Sequence, residues 1–150
     1  MRKALCLSRQ EIETRLREKD LQPTLQRVGI CQYVLCEGDH PTAEQVHQWA
    51  EKNLGKISLA TVYNTLNSLV KVGLLREFNF SHMEKAIYDN NLDRHHHFFD
   101  EATGQIHDVP FEVVNLETDL ERQFQVSGYE ILLRGLYKEN RSVKNKPTKE

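Results

Sequence analysis

Apolar residues recur at helical spacing in four stretches of the first half of the chain. From about Arg9 to Lys19 the stripe is thin, Ile12 and Leu16. Ser8, with Glu11 three residues on, supplies the capping box that starts a helix there. "LQPT" then breaks the chain. Thr24 can cap a second helix whose inner face is Leu25, Val28, Ile30, Cys31, Val34 and Leu35, ending at Glu37-Gly38. After the turn "DHPT", Thr42 and Gln45 make another capping box. The third helix carries Val46, Trp49, Ala50 and Leu54 inward and ends near Gly55. Ser58 caps a fourth, "LATVYNTLNSLVKV". Leu59, Val62, Leu66, Leu69 and Val70 fall on one face, with Thr61, Asn64, Thr65 and Ser68 on the other, and Gly73 terminates it.

The period then changes to two. Leu74 to Phe80 and Lys85 to Asp89 alternate as strands joined by "SHM". Helix–turn–helix followed by a two-stranded ribbon is the winged-helix order. Two more strands, about 95–100 and 105–109, flank a turn at Ala102-Thr103-Gly104. Pro110 begins a fifth helix, "FEVVNLETDLERQFQV", Gly128 ends it, and a last strand, "YEILLRGLY", follows. The predicted class is α+β: a winged-helix domain over 1–87, an α/β domain over 88–137, and a basic tail over 138–150. One helix on three short strands cannot bury its own apolar face well, so pairing with a second copy is expected.

Composition narrows the function classes. At 39% hydrophobic and 28% charged the balance is that of a soluble domain. No apolar run reaches a membrane span, and "ALCL" is too short for a signal-peptide core, so a cytoplasmic protein with no membrane partner is expected. The net charge of −2 argues against a general nucleic-acid binder, but the charge is uneven: +2 over 1–87, −7 over 88–136 and +3 beyond. The front can approach an anion and the middle can hold a cation. Cys6, Cys31 and Cys36 form no CxxC and no even disulfide set, and read as buried structural thiols.

The outer face of the fourth helix is polar, small and uncharged, as a helix entering the major groove requires. Asn64 can pair bidentately with adenine. Tyr63 and the methyls of Thr61 and Thr65 can touch thymine methyls. Arg27, Lys56, Lys71 and Arg76 can hold phosphates. A solvated polar face is the plainer alternative.

The second concentration of chemistry is "LDRHHHFFDEATGQIHDVP", with four of the chain's seven histidines. On a strand His95 and His97 share a face, about 6.6 Å apart along the backbone, while His96 points away. Asp89, Asp108 on the paired strand and His40 are the candidate further ligands. Three nitrogens and two carboxylate oxygens suit iron(II) or manganese(II) better than tetrahedral zinc, although zinc can enter such a site in vitro. Singly, each residue has a plain reading: a strand end for Asp89, turn chemistry for Asp108, a solvated loop for His40, an exposed patch for the triplet. His47, His82 and His107 read as surface positions. A metal hydrolase acting through His95, His97 and Asp108 is disfavoured, because no acid, base or nucleophile stands beyond the ligands. No enzyme activity or small-molecule substrate is expected.

"HPTAEQVHQWA", "ISLATVYNTLNSLVKVGLLREF", "IYDNN" and "HHHFFDEATGQIHDV" resemble the ferric uptake regulator family, over about residues 10 to 136 and in the same order. The resemblance implies a homodimeric, metal-responsive transcriptional repressor or activator that binds a double-stranded DNA operator, with an N-terminal winged helix and a C-terminal α/β dimerisation domain. It places the regulatory metal on His40, Asp89, His95, His97 and Asp108. Asn64 after "ATVY" and aspartate rather than glutamate at Asp108 favour the peroxide-sensing branch. Under that reading peroxide would oxidise His40 or His95 of the iron-loaded protein. The iron response regulators of rhizobia share "SLATVYNTLN", "GLL" and "HHHFF", so a regulator of iron or haem status, with haem as cofactor, is the alternative. The Cys-Pro haem motif of that branch is absent. The family's structural zinc uses two CxxC pairs. The first falls on Asp100 and Thr103, and the segment after Gly128 has no cysteine, so structural zinc is not expected.

Overall fold

Each helix starts where its capping residue places it. The computed structural model describes residues 6–138. In it α1 spans Arg9–Arg17, α2 Leu25–Cys36, α3 Ala43–Leu54 and α4 Leu59–Lys71. Ser8 and Glu11 bond each other's backbone reciprocally, as do Thr42 and Gln45, so two orphan amides are satisfied at the start of α1 and of α3. Thr24 and Ser58 accept from Arg27 N and Thr61 N in the same manner. Gly55 and Gly73 follow α3 and α4 at φ +86° and +74°, a region in which a Cβ is costly.

The apolar stripes meet in one core. Ile12, Leu16, Val28, Ile30, Cys31, Val34, Leu35, Val46, Ala50, Val62, Leu66 and Leu69 are buried together with Ile57, Leu74, Leu75 and Tyr88. Each fully buried aliphatic side chain contributes about 1.5–3 kcal/mol. Trp49 lies at the edge of this core, stacked on Tyr33 with ring centroids 4.0 Å apart. Two expected faces are revised. Leu25, in the first turn of α2, is 70% exposed. Thr65 is fully buried, because its hydroxyl donates to the Thr61 carbonyl at 2.8 Å and its methyl can then face the core.

The wing is a short antiparallel pair, β1 (Arg76–Phe78) and β2 (Ile87–Asp89), with Arg76 opposite Asp89. That ladder carries the first unit past residue 87. The chain divides into two compact units between Asp93 and Arg94.

In the second unit β3 (His95–Asp100) is central. It pairs antiparallel with β4 (Ile106–Pro110) and parallel with β5 (Leu132–Gly135). The predicted fifth helix is not formed. Only one-turn 3-10 helices occur, at Phe111–Val113 and Leu120–Arg122. The physical reason lies in the face that helix would bury: Val113, Leu116, Leu120, Phe124 and Val126 are all exposed. Helical stability comes mainly from covering such a face, and one copy of this chain offers no cover among the described residues. Most of the basic tail lies outside those residues. No helix among them is long and apolar enough to cross a membrane.

Candidate metal centre and recognition helix

In the first unit, His40 and Asp89 come together from the α2–α3 turn and the end of β2. His40 sits at φ +48°, a left-handed conformation that costs a non-glycine residue about 1 kcal/mol or more. Its Nδ1 lies 2.7 Å from Asp39 Oδ1, so a proton at that position is donated to a carboxylate, and Nε2 points the other way. Nε2 stands 3.3 Å from Asp89 Oδ2. Asp89 is 2% exposed, and its Oδ1 accepts from Asn91 N at 2.8 Å. The neighbouring Asn90 amide reaches Val34 O at 3.0 Å, Gly38 O at 3.1 Å and Leu35 O at 3.4 Å. One side chain thus ties the end of α2, from which the His40 turn departs, to the strand that carries Asp89.

In the second unit the alternation of β3 turns His95 and His97 to one face. Their backbones are two residues apart, yet their Nε2 atoms converge to 3.1 Å, with the rings edge to face. Asp108 lies directly across the ladder from His97, and its Oδ1 is 3.4 Å from His95 Nε2 and 3.8 Å from His97 Nε2. Both imidazoles are buried, while Asp108 is at the surface. Nitrogen and carboxylate lone pairs brought this close repel unless a proton or a cation lies among them. Every donor in both clusters is imidazole nitrogen or carboxylate oxygen, with no thiolate, a set that fits iron(II) or manganese(II).

His96 faces the other side of the sheet and is fully buried. Its Nδ1 accepts from Ile131 N at 3.1 Å, and its ring lies against Phe111 and Tyr129. It is a packing residue that links β3 to the strand beside it. The other histidines also have partners. His47 Nε2 lies 2.8 Å from Ile57 O, His107 stacks on Tyr137, and His82 stacks near Phe80. The Asp100–Thr103 turn closes by hydrogen bonds. Asp100 accepts from Thr103 Oγ1 at 2.7 Å and from Ala102 N at 3.0 Å, and these bonds lower its carboxyl pKa, the Thr103 bond most. Gly104 completes the turn at φ +73°.

On α4 the exposed stripe is Ala60, Tyr63, Asn64, Asn67 and Lys71. Thr61 is half-buried and Thr65 is inside, so Thr65 cannot reach a base. Asn67 was missed by the sequence reading, although spacing from Asn64 and Lys71 signals it. The Tyr63 hydroxyl donates to Glu44 Oε1 at 3.1 Å, and Lys85 Nζ lies 3.7 Å from that same oxygen. Arg27 donates to Gln22 O at 3.0 Å, and Arg76 stacks over Phe78, so each is partly engaged within the fold. Lys56 and Lys71 are exposed.

One expectation for the cysteines is corrected. Cys31 is a buried free thiol, its pKa pushed up to about 12 by burial. Cys6 and Cys36 are joined in a disulfide, because the segment before α1 passes the end of α2.

Residues 18–134 match the ferric uptake regulator family. The chain is 28% identical over 130 residues to the peroxide-responsive repressor PerR of Staphylococcus aureus, covering 83% of this chain and 85% of that protein. It is similar to the solved ferric uptake regulator of Pseudomonas aeruginosa with manganese, at 27% identity and a TM-score of 0.59, over 85% of this chain and 98% of that one. It is also similar to PerR from Streptococcus pyogenes, whose structure was described for peroxide sensing and gene regulation. That match has 26% identity and a TM-score of 0.50, over 91% of this chain and 96% of that one. With most of its length matched, from the end of α1 into the last strand, this chain belongs to the ferric uptake regulator family.

Proposed function

We propose that this chain is a homodimeric, metal-dependent DNA-binding transcriptional regulator that responds to peroxide. The observation that carries the reading is the convergence of His95 Nε2, His97 Nε2 and Asp108 Oδ1 within 3.1–3.8 Å, unshared by any thiol. His40 and Asp89 form a second donor pair of the same chemistry. Asp89 and His95 are six residues apart, so the chain holds the two clusters within about 20 Å at full extension. One iron(II) or manganese(II) held by His40, Asp89, His95, His97 and Asp108 would tie the winged helix to the second unit.

When bound, iron(II) supplies a reductant for peroxide beside the imidazoles. His40 and His95 are the rings proposed to take up oxygen, and an oxidised ring is a poorer donor. Asp39 holds His40 by its other nitrogen, which orients that ring before any ligand arrives, and β3 places His95 on the face it shares with His97. On the DNA side, Asn64, Asn67 and Tyr63 would meet base edges, with the Thr61 methyl beside them. Lys71 and Lys56 would hold phosphates, with Arg27 and Arg76 available once their contacts within the fold rearrange. The apolar residues from Val113 to Val126 would pack on a second copy, placing two α4 helices for successive major grooves. The similarity to peroxide-responsive repressors supports the peroxide signal.

The test is operator binding by anaerobically purified protein with iron, manganese, zinc or a chelator, repeated after peroxide. Iron and manganese are expected to tighten binding at least tenfold over the chelator. Peroxide is expected to release the iron form alone and to add oxygen to the His40 or His95 peptide. Equal binding with chelator and metal refutes metal control. Intact binding with unmodified histidines refutes peroxide control.

A further inference from the structure

We propose that Cys6 and Cys36 are a reversible thiol–disulfide site, oxidised by hydroperoxides and reduced by dithiols, which fixes the turn that carries His40. The site is chemically separate from the histidine–carboxylate clusters, since it contains no ligand of either.

The placement of the two sulfurs argues for a reactive pair rather than a core staple. Cys6 is exposed and Cys36 half-buried, and neither belongs to the buried core. Solvent reagents therefore reach the bond, whereas Cys31, five residues earlier in α2, is sealed. Reduction leaves the core residues of α1 to α4 in place. The bond joins the segment before α1 to the last residue of α2 across 30 positions. Cys36 is also where α2 gives way to the turn Glu37-Gly38-Asp39-His40. The Asn90 amide holds that helix end from β2 through Val34 O and Gly38 O. The disulfide holds it from the N-terminal side. Reduction removes one restraint on a turn that already keeps His40 at a left-handed φ.

The chemistry balances within the pair. One thiolate attacks a peroxide oxygen, the O–O bond breaks, and water or an alcohol leaves, giving a sulfenic acid. The second thiolate attacks that sulfur, the S–S bond forms, and a water leaves. Two electrons pass from the sulfurs to the peroxide, and the two thiol protons end on its oxygens. A dithiol reverses the change by two exchanges and becomes the oxidised partner.

The test uses the full chain, without metal, so that it does not depend on the metal reading. The protein is reduced with dithiothreitol, freed of it, treated with hydrogen peroxide, and alkylated natively for mass spectrometry. Cys6 and Cys36 are expected to label together when reduced and to reappear as one linked peptide after peroxide, with Cys31 unlabelled throughout. Hydrogen exchange over residues 37–42 is expected to quicken about tenfold on reduction. Cys6→Ser and Cys36→Ser should each show the fast exchange in both conditions, with helical circular dichroism unchanged. A bond that resists millimolar dithiothreitol in the native protein, or thiols that peroxide does not join, overturns the proposal. Exchange over 37–42 that is equal in the two states overturns the link to His40.

Discussion

Asn90→Ala isolates the contribution of the side chain that holds the His40 turn against β2. At the end of α2, Glu37 N and Gly38 N both donate to Tyr33 O, so the Val34 and Leu35 carbonyls receive neither of those amides. The Asn90 amide serves both of them and Gly38 O, at 3.0, 3.4 and 3.1 Å. With two N–H groups it makes at most two full bonds, the third being shared. At about 1 kcal/mol net for each, the alanine variant should lose about 2 kcal/mol. That is a factor of roughly 30 in the folding constant, and a melting point lower by about 8–16 °C for a unit of this size. Urea unfolding of the metal-free chain measures it. Asn90→Asp keeps the size, loses both donors and turns a carboxylate toward carbonyl oxygens, so it should be the worse variant. A loss under about 0.5 kcal/mol for alanine, or an aspartate variant as stable as wild type, would refute the capping argument. Under the metal reading both variants also weaken manganese binding, because His40 no longer departs from a fixed helix end.

Three further outcomes follow from burial and exposure. With its pKa near 12, Cys31 holds about a thousandfold less thiolate at pH 8 than a thiol of ordinary pKa 9.0, so native alkylation should be at least that much slower than in denaturant. Folding favours the neutral thiol. The stability it contributes is complete below about pH 9 and is lost as pH rises toward 12, by up to about 1.4 kcal/mol per unit, and urea unfolding across that window should show the loss diminished in Cys31→Ala. Phe124 is 59% exposed in one copy, so Phe124→Asp should shift sedimentation toward the monomer while leaving the α1–α4 core intact. Unchanged sedimentation would refute this face as the contact of the proposed dimer.

The first unit was legible because every signal in it is local. Ser8, Thr24, Thr42 and Ser58 each precede an apolar stripe of the right period, and each is a cap in the structure. The misplaced side chains, Leu25 and Thr65, sit at the margins of their stripes, where a turn of one residue moves a side chain from core to solvent. The segment after Pro110 shows the converse. Its period is helical in the sequence, but no surface among the described residues covers the apolar face that would stabilise the helix.

The histidine run divides along the same line between local and distant causes. Alternation on one strand was enough to pair His95 with His97 and to send His96 away. Register then delivered Asp108 to His97, a consequence of the Ala102–Gly104 turn length that the sequence also states. What no periodicity contains is the support. Asn90 reaches back more than 50 positions to cap α2. Cys6 reaches forward 30 to clamp it. Asp39, adjacent to His40, aims the ring only because the turn is left-handed. Three unrelated restraints therefore converge on one residue that carries a strained backbone. Strain of that kind persists only where the surroundings over-determine it. The His40 turn accordingly keeps its conformation through partners distant in sequence, and both Asn90→Ala and reduction of the disulfide act on that support.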